Sequence, residues 1–400
     1  MKSRPIFEQA KNVLKKLTSL GYEAYFVGGC VRDAVLSSPV HDIDIATSAL
    51  PEEVVRIFTK TIPVGIDHGT VIVREGGISY EVTTFRTEGE YKDYRRPSTV
   101  AFTSSLERDL ARRDFTFNAM AMDADYNLYD PYGGRDALKR RVIQTVGAAQ
   151  ERFREDPLRI MRAFRFAAKY GFSLEEETKA AAGALSYLLE KISTERKRDE
   201  LLKLLSHPYA SDVLASMQDL GVMNHLPGLN DLTAPHADWP ALQSDSEKMA
   251  LLFYLSSHKD CSGFLRDWKL PGTTAKQSEK IVSAMMRCSL PLSWHVYHTG
   301  ISSAVSAFRT ACAAVCVHSE DGIERLLSAY EALPIKSRTE LPVSGSQVSA
   351  LIGDRPGPWL GKLLQSLEHA VVTGVLSCSE EDVLHFIRRW KDERNPPSHA

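Results

Sequence analysis

The chain has 400 residues, 43% of them hydrophobic and 25% charged, with a formal net charge of −2. That length suits two to four packed units, and the composition is that of an ordinary folded protein rather than a disordered or fibrous one. The near-neutral charge gives no global nucleic-acid signal, no apolar run approaches the roughly 20 residues of a membrane span, and the opening MKSRPIFEQAKNVLKKL lacks the apolar core of a signal peptide. A cytoplasmic protein with no membrane partner is expected.

Residues 6–20 carry apolar side chains at helical spacing (Ile6, Ala10, Val13, Leu14, Leu17) and predict an N-terminal helix that Gly21 ends. Next comes YFVGGCVRDAVLSSPVHDIDIAT, residues 25–47. It reads as a short apolar run into Gly28-Gly29, a helix-compatible stretch at 31–36, a loop, and a second strand-like run carrying Asp42 and Asp44. A helix should start near Pro51, with Glu52 and Glu53 favourably placed in its first turn, and run through Phe58. Residues 70–74 and 78–85 are β-branched runs joined by Gly76-Gly77, a hairpin pattern. To about residue 125 the chain therefore reads as α/β with a mixed sheet. From Asp136 onward helical spacing dominates, in 158–170, 178–189, 200–205, 248–255, 304–317 and 381–390. The six cysteines (Cys30, Cys261, Cys288, Cys312, Cys316, Cys378) include no CxxC pair, and Cys312 and Cys316 with His318 make a poor zinc signature. Reduced, buried thiols are expected.

The chemistry concentrates at residues 28–44. Side chains two apart on a strand share a face, so Asp42 and Asp44 should project together while Ile43 and Ile45 turn into a core. Adjacent carboxylates repel, and a divalent cation is the usual compensation. A glycine turn feeding a helix offers backbone N–H groups to an anion. A phosphate cradle beside a metal-binding pair implies a nucleoside triphosphate.

GGCVRD followed by DIDIAT resembles the GGxxRD and DxDIAT motifs of the tRNA nucleotidyltransferase and bacterial poly(A) polymerase branch of the polymerase-beta-like nucleotidyltransferases. The resemblance spans nearly the whole chain, most specifically up to about residue 205. It implies an α+β protein: a nucleotidyltransferase head with a mixed sheet at 1–126, then an all-α neck at 127–205 that recognises the base, a body at 206–310, and a tRNA-binding tail at 311–400. It implies that Asp42 and Asp44 ligate Mg²⁺ and are catalytic, with Glu81 of EVTTFR as a third catalytic carboxylate. Two metal ions would activate the RNA 3′-hydroxyl and neutralise the departing pyrophosphate. Gly29 and Arg32 would bind the nucleotide. RTEGEYKDYRRPSTVAFTSS, residues 86–105, occupies the flexible-loop position linked to the final adenosine, and its full length favours complete CCA addition over CC alone. RRDFTFNA matches the family's RRDFTxNA motif, which implies Arg113 and Asp114 near the sugar and phosphates and Asn118 one turn on. Ser37-Ser38-Pro39 departs from the Gly-Arg-Pro common in relatives.

EDPLRIMRAFRF, residues 155–166, is the most informative stretch after this core. Asp156 and Arg159 are three apart, hence neighbours on a helix face. A carboxylate accepts hydrogen bonds and a guanidinium only donates. Cytosine and adenine present an exocyclic amine beside a ring-nitrogen acceptor, whereas uracil and guanine present a carbonyl beside a ring N–H. The pair would admit CTP and ATP and reject UTP and GTP without a nucleic-acid template. The family's EDxxR motif is assigned this role. Arg162 and Arg165 continue the spacing, but the row drifts by about 60° per step, so they should reach phosphates or brace the others. Ile160, Phe164 and Ala167 fall on a core face. ISTERKRDELLKLL, 192–205, fits the family's ERxxxEL motif and should support the base-reading helix.

The sequence thus reads as a bacterial class II CCA-adding enzyme extending tRNA 3′ ends with CTP and ATP, with a homodimer left open. Its rivals are an A-adding enzyme or poly(A) polymerase, and a non-catalytic tRNA-binding protein. A metal phosphohydrolase, prompted by His41-Asp42, lacks the further His/Asp motifs that chemistry needs.

Overall fold

Phe7, Ala10, Val13, Leu14 and Leu17 form one fully buried stripe of α1 (Arg4–Thr18), the pattern of a helix laid on a core. Phe7 meets Phe26 edge to face at 5.0 Å and seats the helix on β1 (Ala24–Val27); burying such a ring contributes about 2–3 kcal/mol. The computed structural model describes residues 4–65, 69–89, 94, 99–232, 236–287 and 289–394. The chain divides into two compact units, Met1–Asp231 and Leu232–Ala400.

In the first unit β1 passes through Gly28 directly into α2 (Gly29–Val35). The chain returns as β2 (Asp44–Thr47), antiparallel to β1, and enters α3 (Pro51–Ile57), whose Glu53 carboxylate accepts from the Leu50 N–H at 2.7 Å. After β3 (Thr61–Ile62) come β4 (Thr70–Glu75) and β5 (Ile78–Thr84), the expected hairpin. Gly76 and Gly77 both take positive φ, +58° and +83°, the two-residue turn whose twist matches the flanking strands. β5 runs parallel to β2 and sets Glu81 opposite Asp44. β6 (Arg86–Glu88) and β7 (Val100–Phe102) form a separate ladder, and α4 (Leu106–Ala111) follows. Residues 90–93 and 95–98 of the expected flexible loop lie outside the described residues. β8 (Ala121–Met122) and β9 (Leu128–Tyr129) complete a mixed seven-stranded sheet ordered β3-β4-β5-β2-β1-β8-β9.

The remainder of this unit is mainly helical. Asp130 accepts from the Gly134 and Arg135 N–H groups at 2.7 and 2.8 Å and starts α5 (Gly134–Arg140). β10 (Val142–Ile143) precedes α6 (Ala149–Glu155) and α7 (Leu158–Tyr170), and pairs in parallel with β11 (Ser173–Leu174). Here the structure corrects an expectation: Asp156 does not share a helix with Arg159. Proline disfavours the helical conformation in the residue before it, and Asp156, ahead of Pro157, is extended at φ −139° and ψ 98°. Its Oδ1 accepts from the Leu158 N–H at 3.1 Å, so it caps α7 from outside. Ile160, Phe164 and Ala167 are buried, as expected. α8 (Glu176–Ala184), α9 (Thr194–Leu205) and α10 (Ala210–Asp219) complete the set, with α9 packed against α7.

The second unit is helical: α11 (Asp245–Leu255), α12 (Cys261–Asp267), α13 (Gly272–Met285), α14 (Leu292–Thr299), α15 (Ile301–Ala314), α16 (Glu320–Glu331), α17 (Gly345–Ile352), α18 (Pro358–Val372) and α19 (Glu380–Arg394). α11 is buried on nearly every side, and the carboxylate of its Glu247 pairs with Arg309 at 2.5 Å. Val348, Ile352, Leu363, Leu367, Val371, Val383 and Ile387 knit α17–α19 into one core. Among the described residues no helix is long and apolar enough to cross a membrane. Cys30, Cys261, Cys312, Cys316 and Cys378 are free thiols, but only Cys30 is fully buried. Cys316 is exposed, in a turn with φ +55° just past α15; Cys288 lies outside the described residues.

Candidate active site

The site is built on the turn after β1. Gly28 sits at φ +70° and ψ −130°, where only glycine is unstrained. A Cβ there would lie 3.0 Å from Arg113 Nη1 and 3.8 Å from Asp44 Oδ2. Glycine therefore lets a guanidinium and a carboxylate close on the turn together. Burial pushes the Asp44 carboxyl above its ordinary value; Glu81 adds to that push, Arg113 opposes it, and Asp42 adds again. Asp42 itself precedes the strand and is exposed, yet the expected alternation holds, with Ile43 and Ile45 buried. Asp42, Asp44 and Glu81 line one cavity of about 230 Å³, with His41 beside them. Among the described residues no group of three or more His, Cys, Asp or Glu side chains is arranged to hold a metal ion. What stands there is a pair of carboxylates with a third facing Asp44 from β5.

Asp44 also reaches a larger cavity, about 530 Å³, shared with Gly28, Gly29, Arg32 and Arg113. One wall comes from the RRD stretch after α4. Buried Asp109 accepts from Arg112 at 2.8 Å and Arg113 at 3.2 Å. Asp114, expected beside sugar and phosphates, lines the cavity but is committed internally. It accepts from Arg162 Nε and Nη2 at 2.8 and 2.6 Å, from Asn118 Nδ2 at 2.9 Å and from the Phe115 N–H at 2.9 Å. Burial alone would raise its pKa; Arg162 and these donors outweigh burial and hold it at about 2. Asn118 stands in a short 3₁₀ turn (Thr116–Asn118), where its Oδ1 accepts from Arg32 Nη1 at 2.7 Å.

The other wall is α7 and its approach. Asp156, Arg159, Arg162 and Arg165 all line the cavity. Asp156 and Arg159 are brought to one place but take different partners. Asp156 Oδ2 accepts from Arg196 at 2.8 Å, while Arg159 Nη1 donates to Glu155 at 2.6 Å and to the Arg152 carbonyl at 3.1 Å. Arg165 donates to Glu200 at 2.5 Å. Arg196 and Glu200 both belong to α9, so the ERxxxEL helix does brace α7.

Sequence reasoning passed over Phe166 and Lys169, which also line this cavity. The Phe166 ring lies 4.3 Å from the Arg165 guanidinium, 5.2 Å from that of Arg32 and 5.7 Å from that of Arg162. The ring thus stands among three guanidiniums and helps to fix them, while each also pairs with a carboxylate. The signal was present, because 162, 166 and 169 recur at the four- and three-residue spacing of one helix face. Glu88 and Arg112 were missed too; they pair at 3.2 Å and tie the end of β6 to the cavity. Seven of the lining residues are cationic and four acidic. Such a cavity can hold a polyanion, a cation at its Asp44 end and a planar polar group at its Asp156 end.

Residues 24–144 match the family described as "Poly A polymerase head domain", 171–232 the one described as "Probable RNA and SrmB- binding site of polymerase A", and 241–387 the one described as "tRNA nucleotidyltransferase domain 2 putative". The CCA-adding enzyme of Geobacillus kaustophilus (strain HTA426) is 44% identical over 400 residues, covering 98% of each chain. That of Geobacillus stearothermophilus is 42% identical over 401 residues, again covering 98% of each. The structure of the Bacillus stearothermophilus CCA-adding enzyme in complex with CTP has 39% identity and a TM-score of 0.88, covering 98% of this chain and 100% of that one. The Thermotoga maritima CCA-adding enzyme complexed with tRNA_CCA, 21% identical, shares the fold at a TM-score of 0.63, covering 96% of this chain and 95% of that one.

Proposed function

The chain belongs to the CCA-adding enzyme family, and from that premise we propose that it adds CCA to the 3′ end of tRNA, using CTP and ATP without a nucleic-acid template and releasing pyrophosphate. One observation carries this reading: Asp156 and Arg159 line the same cavity as Gly28, Gly29, Arg32 and Asp44. A single nucleotide can then meet a phosphate-binding end and a base-reading end at once. We assign residues 1–126 to the head, 127–205 to the neck, 206–310 to the body and 311–400 to the tail, and take the setting to be the cytoplasm, with tRNA as the macromolecular partner.

The donors near the turn suit Mg²⁺, a hard cation that takes few carboxylates and keeps positions for water and phosphate oxygens. Burial and, after it, the neighbouring Glu81 and Asp42 carboxylates push the Asp44 carboxyl up, and a bound cation would offset that cost. Asp42 and Asp44 would hold it, with Glu81 next to them; when bound, it supplies Lewis-acid activation of the RNA 3′-hydroxyl and neutralisation of the leaving phosphates. Gly29 leaves backbone room for a phosphate, and Arg32 and Arg113 supply positive charge from two sides. At the other end Asp156 accepts from the exocyclic amine of cytosine or adenine while Arg159 donates to the neighbouring ring nitrogen. Both are set before the nucleotide arrives: Asp156 by Leu158 and Arg196, Arg159 by Glu155 and by the carbonyls of Arg152 and Arg112. Preset geometry lowers the entropic cost of recognition. Arg162 and Arg165, held by Asp114 and Glu200, extend the positive wall between the two ends.

The test is incorporation on a tRNA transcript ending at its discriminator base, with Mg²⁺ and each labelled nucleotide singly and together. Two C additions followed by one A support the reading. Entry of ATP alone, only on a substrate ending in CC, would mean an A-adding enzyme; repeated A addition, a poly(A) polymerase; no incorporation, a tRNA-binding protein.

A further inference from the structure

Arg32 lines the nucleotide cavity yet is only 7% exposed, and its guanidinium is gripped from two sides. Nη1 donates to Asn118 Oδ1 at 2.7 Å. Nε and Nη2 donate in a fork to the two carboxylate oxygens of Asp33, at 2.9 and 3.0 Å. A fork-to-carboxylate pair fixes the plane of a guanidinium as well as its position. Asp33 in turn accepts from the Tyr170 hydroxyl at 2.8 Å. Tyr170 is the last residue of α7 and lies about two turns beyond Arg162.

These contacts close a circuit. It leaves α7 at Arg162, passes through Asp114, Asn118, Arg32 and Asp33, and returns to α7 at Tyr170. The Tyr170 ring lies 5.4 Å from the Arg32 guanidinium, which Phe166 also faces. Burial keeps the Tyr170 hydroxyl well above its ordinary pKa, so it stays a donor at any working pH. A core tyrosine that merely needed an acceptor for its hydroxyl would find a backbone carbonyl sufficient. This one is aimed at the carboxylate that orients a cavity arginine.

We propose that Asp33 and Tyr170 are positioning residues that orient Arg32 toward the nucleotide phosphates by tying α2 to α7. The tie fixes the spacing between the phosphate-binding turn and the base-reading residues, so each incoming nucleotide meets both ends in register. This rests on the functional reading above. Because the circuit acts at the phosphate end, it serves CTP and ATP alike and leaves base choice to Asp156 and Arg159.

Tyr170→Phe keeps the ring and removes only the donor. With the full-length protein and Mg²⁺, the Kd and KM for CTP and for ATP should each rise about tenfold, the scale of one hydrogen bond to a charged acceptor. The kcat should stay within about twofold, with the KM for tRNA and the preference for CTP over UTP unchanged. In an Arg32→Ala background the same substitution should add nothing, because the two act as one unit. Asp33→Asn should move both nucleotides in the same direction. Wild-type affinity in Tyr170→Phe, or an equal loss with and without Arg32, would overturn the proposal. If the wild-type protein binds neither nucleotide, the functional reading itself falls and takes this inference with it, a result distinct from normal binding that Tyr170→Phe leaves untouched.

Discussion

Replacing Asp156 by Asn isolates base reading from structure. The carboxylate has three tasks: Oδ1 caps α7 through the Leu158 N–H, Oδ2 holds Arg196, and the group lines the cavity. An alanine would remove all three, and losing the cap alone costs about 1 kcal/mol. Altered selectivity in that variant would then be open to a displaced helix as its cause. Asparagine keeps the capping oxygen and puts an N–H₂ where Oδ2 stood. Arg196 loses its charged partner, at a cost of about 1.5–3 kcal/mol because the two side chains are only 22% and 16% exposed. At the base the consequence is one of selectivity. A carboxylate facing the uracil carbonyl sets acceptor against acceptor, an unsatisfied charged group worth about 2–3 kcal/mol. The amide donates to that carbonyl and removes the penalty. At 1.36 kcal/mol per factor of ten, UTP should gain about 30- to 150-fold relative to CTP. The assay is kcat/KM for each nucleotide on a tRNA transcript lacking CCA, with calorimetric melting as the control for folding. A folded Asp156→Asn variant with an unchanged CTP-to-UTP ratio would refute the assignment. Arg196→Gln is the companion: it should destabilise by a similar amount and still reject UTP.

Asp44→Asn, or chelation with EDTA, should lower incorporation by about 10²–10³-fold, the scale of losing a main electrostatic contributor; a filter-binding assay should find tRNA affinity nearly intact, and a parallel loss of both would count against a metal role. Ser37→Gly should stabilise the protein. Ser37 sits at φ +57° just after α2, with the Ser37 N–H bonded to the Ala34 carbonyl and the Ser38 N–H to that of Asp33, a Schellman closure that prefers glycine. Relief of about 1–2 kcal/mol of strain, less about 0.5–1 kcal/mol of unfolded-state entropy, predicts a net gain near 0.5–1 kcal/mol; a lower Tm would contradict this. Asp114, held at about 2 against an ordinary 3.8, contributes stability that is fully present above about pH 4 and lost as pH falls from there toward 2. A shift of nearly two units is worth about 2 kcal/mol. Asp114→Asn should therefore be less stable at neutral pH and lose less on acidification; equal slopes in acid titrations followed by circular dichroism would remove Asp114 as the cause.

What was legible in the sequence is what local rules control. The Gly76-Gly77 hairpin follows from two residues that accept positive φ, and the buried stripe of α1 from its spacing. The alternation of Ile43 and Ile45 against Asp42 and Asp44 persists although regular pairing begins only at Asp44. One miss was avoidable on the same grounds. Pro157 stands in plain view and excludes Asp156 from the helix, whereas the three-residue spacing to Arg159 by itself points to a shared helical face. The two residues still converge, because a capping residue and the first turn it caps lie close together. Ser37 is a comparable case: its departure from the common glycine is visible in the sequence, but the positive φ that gives it a cost is not.

The remaining misses share one cause, which is separation along the chain. Asp33 and Tyr170 are 137 residues apart, Arg32 and Asn118 are 86 apart, and Arg162 and Asp114 are 48 apart. No periodicity links such pairs, so a motif reading assigns each charged residue to the ligand when much of its bonding is to another motif. Asp114 makes the point. A carboxylate accepting from Arg162, Asn118 and a backbone N–H has little capacity left for a sugar. Its effect on the nucleotide passes through Arg162 on one side and, by way of Asn118, through Arg32 on the other. The motifs that look independent in the sequence are thus successive links of one polar circuit. Disturbing a link should loosen the phosphate end, which every nucleotide shares, and this is why single substitutions at Asp114 and Asn118 should affect CTP and ATP in equal measure while those at Asp156 should separate one base from another.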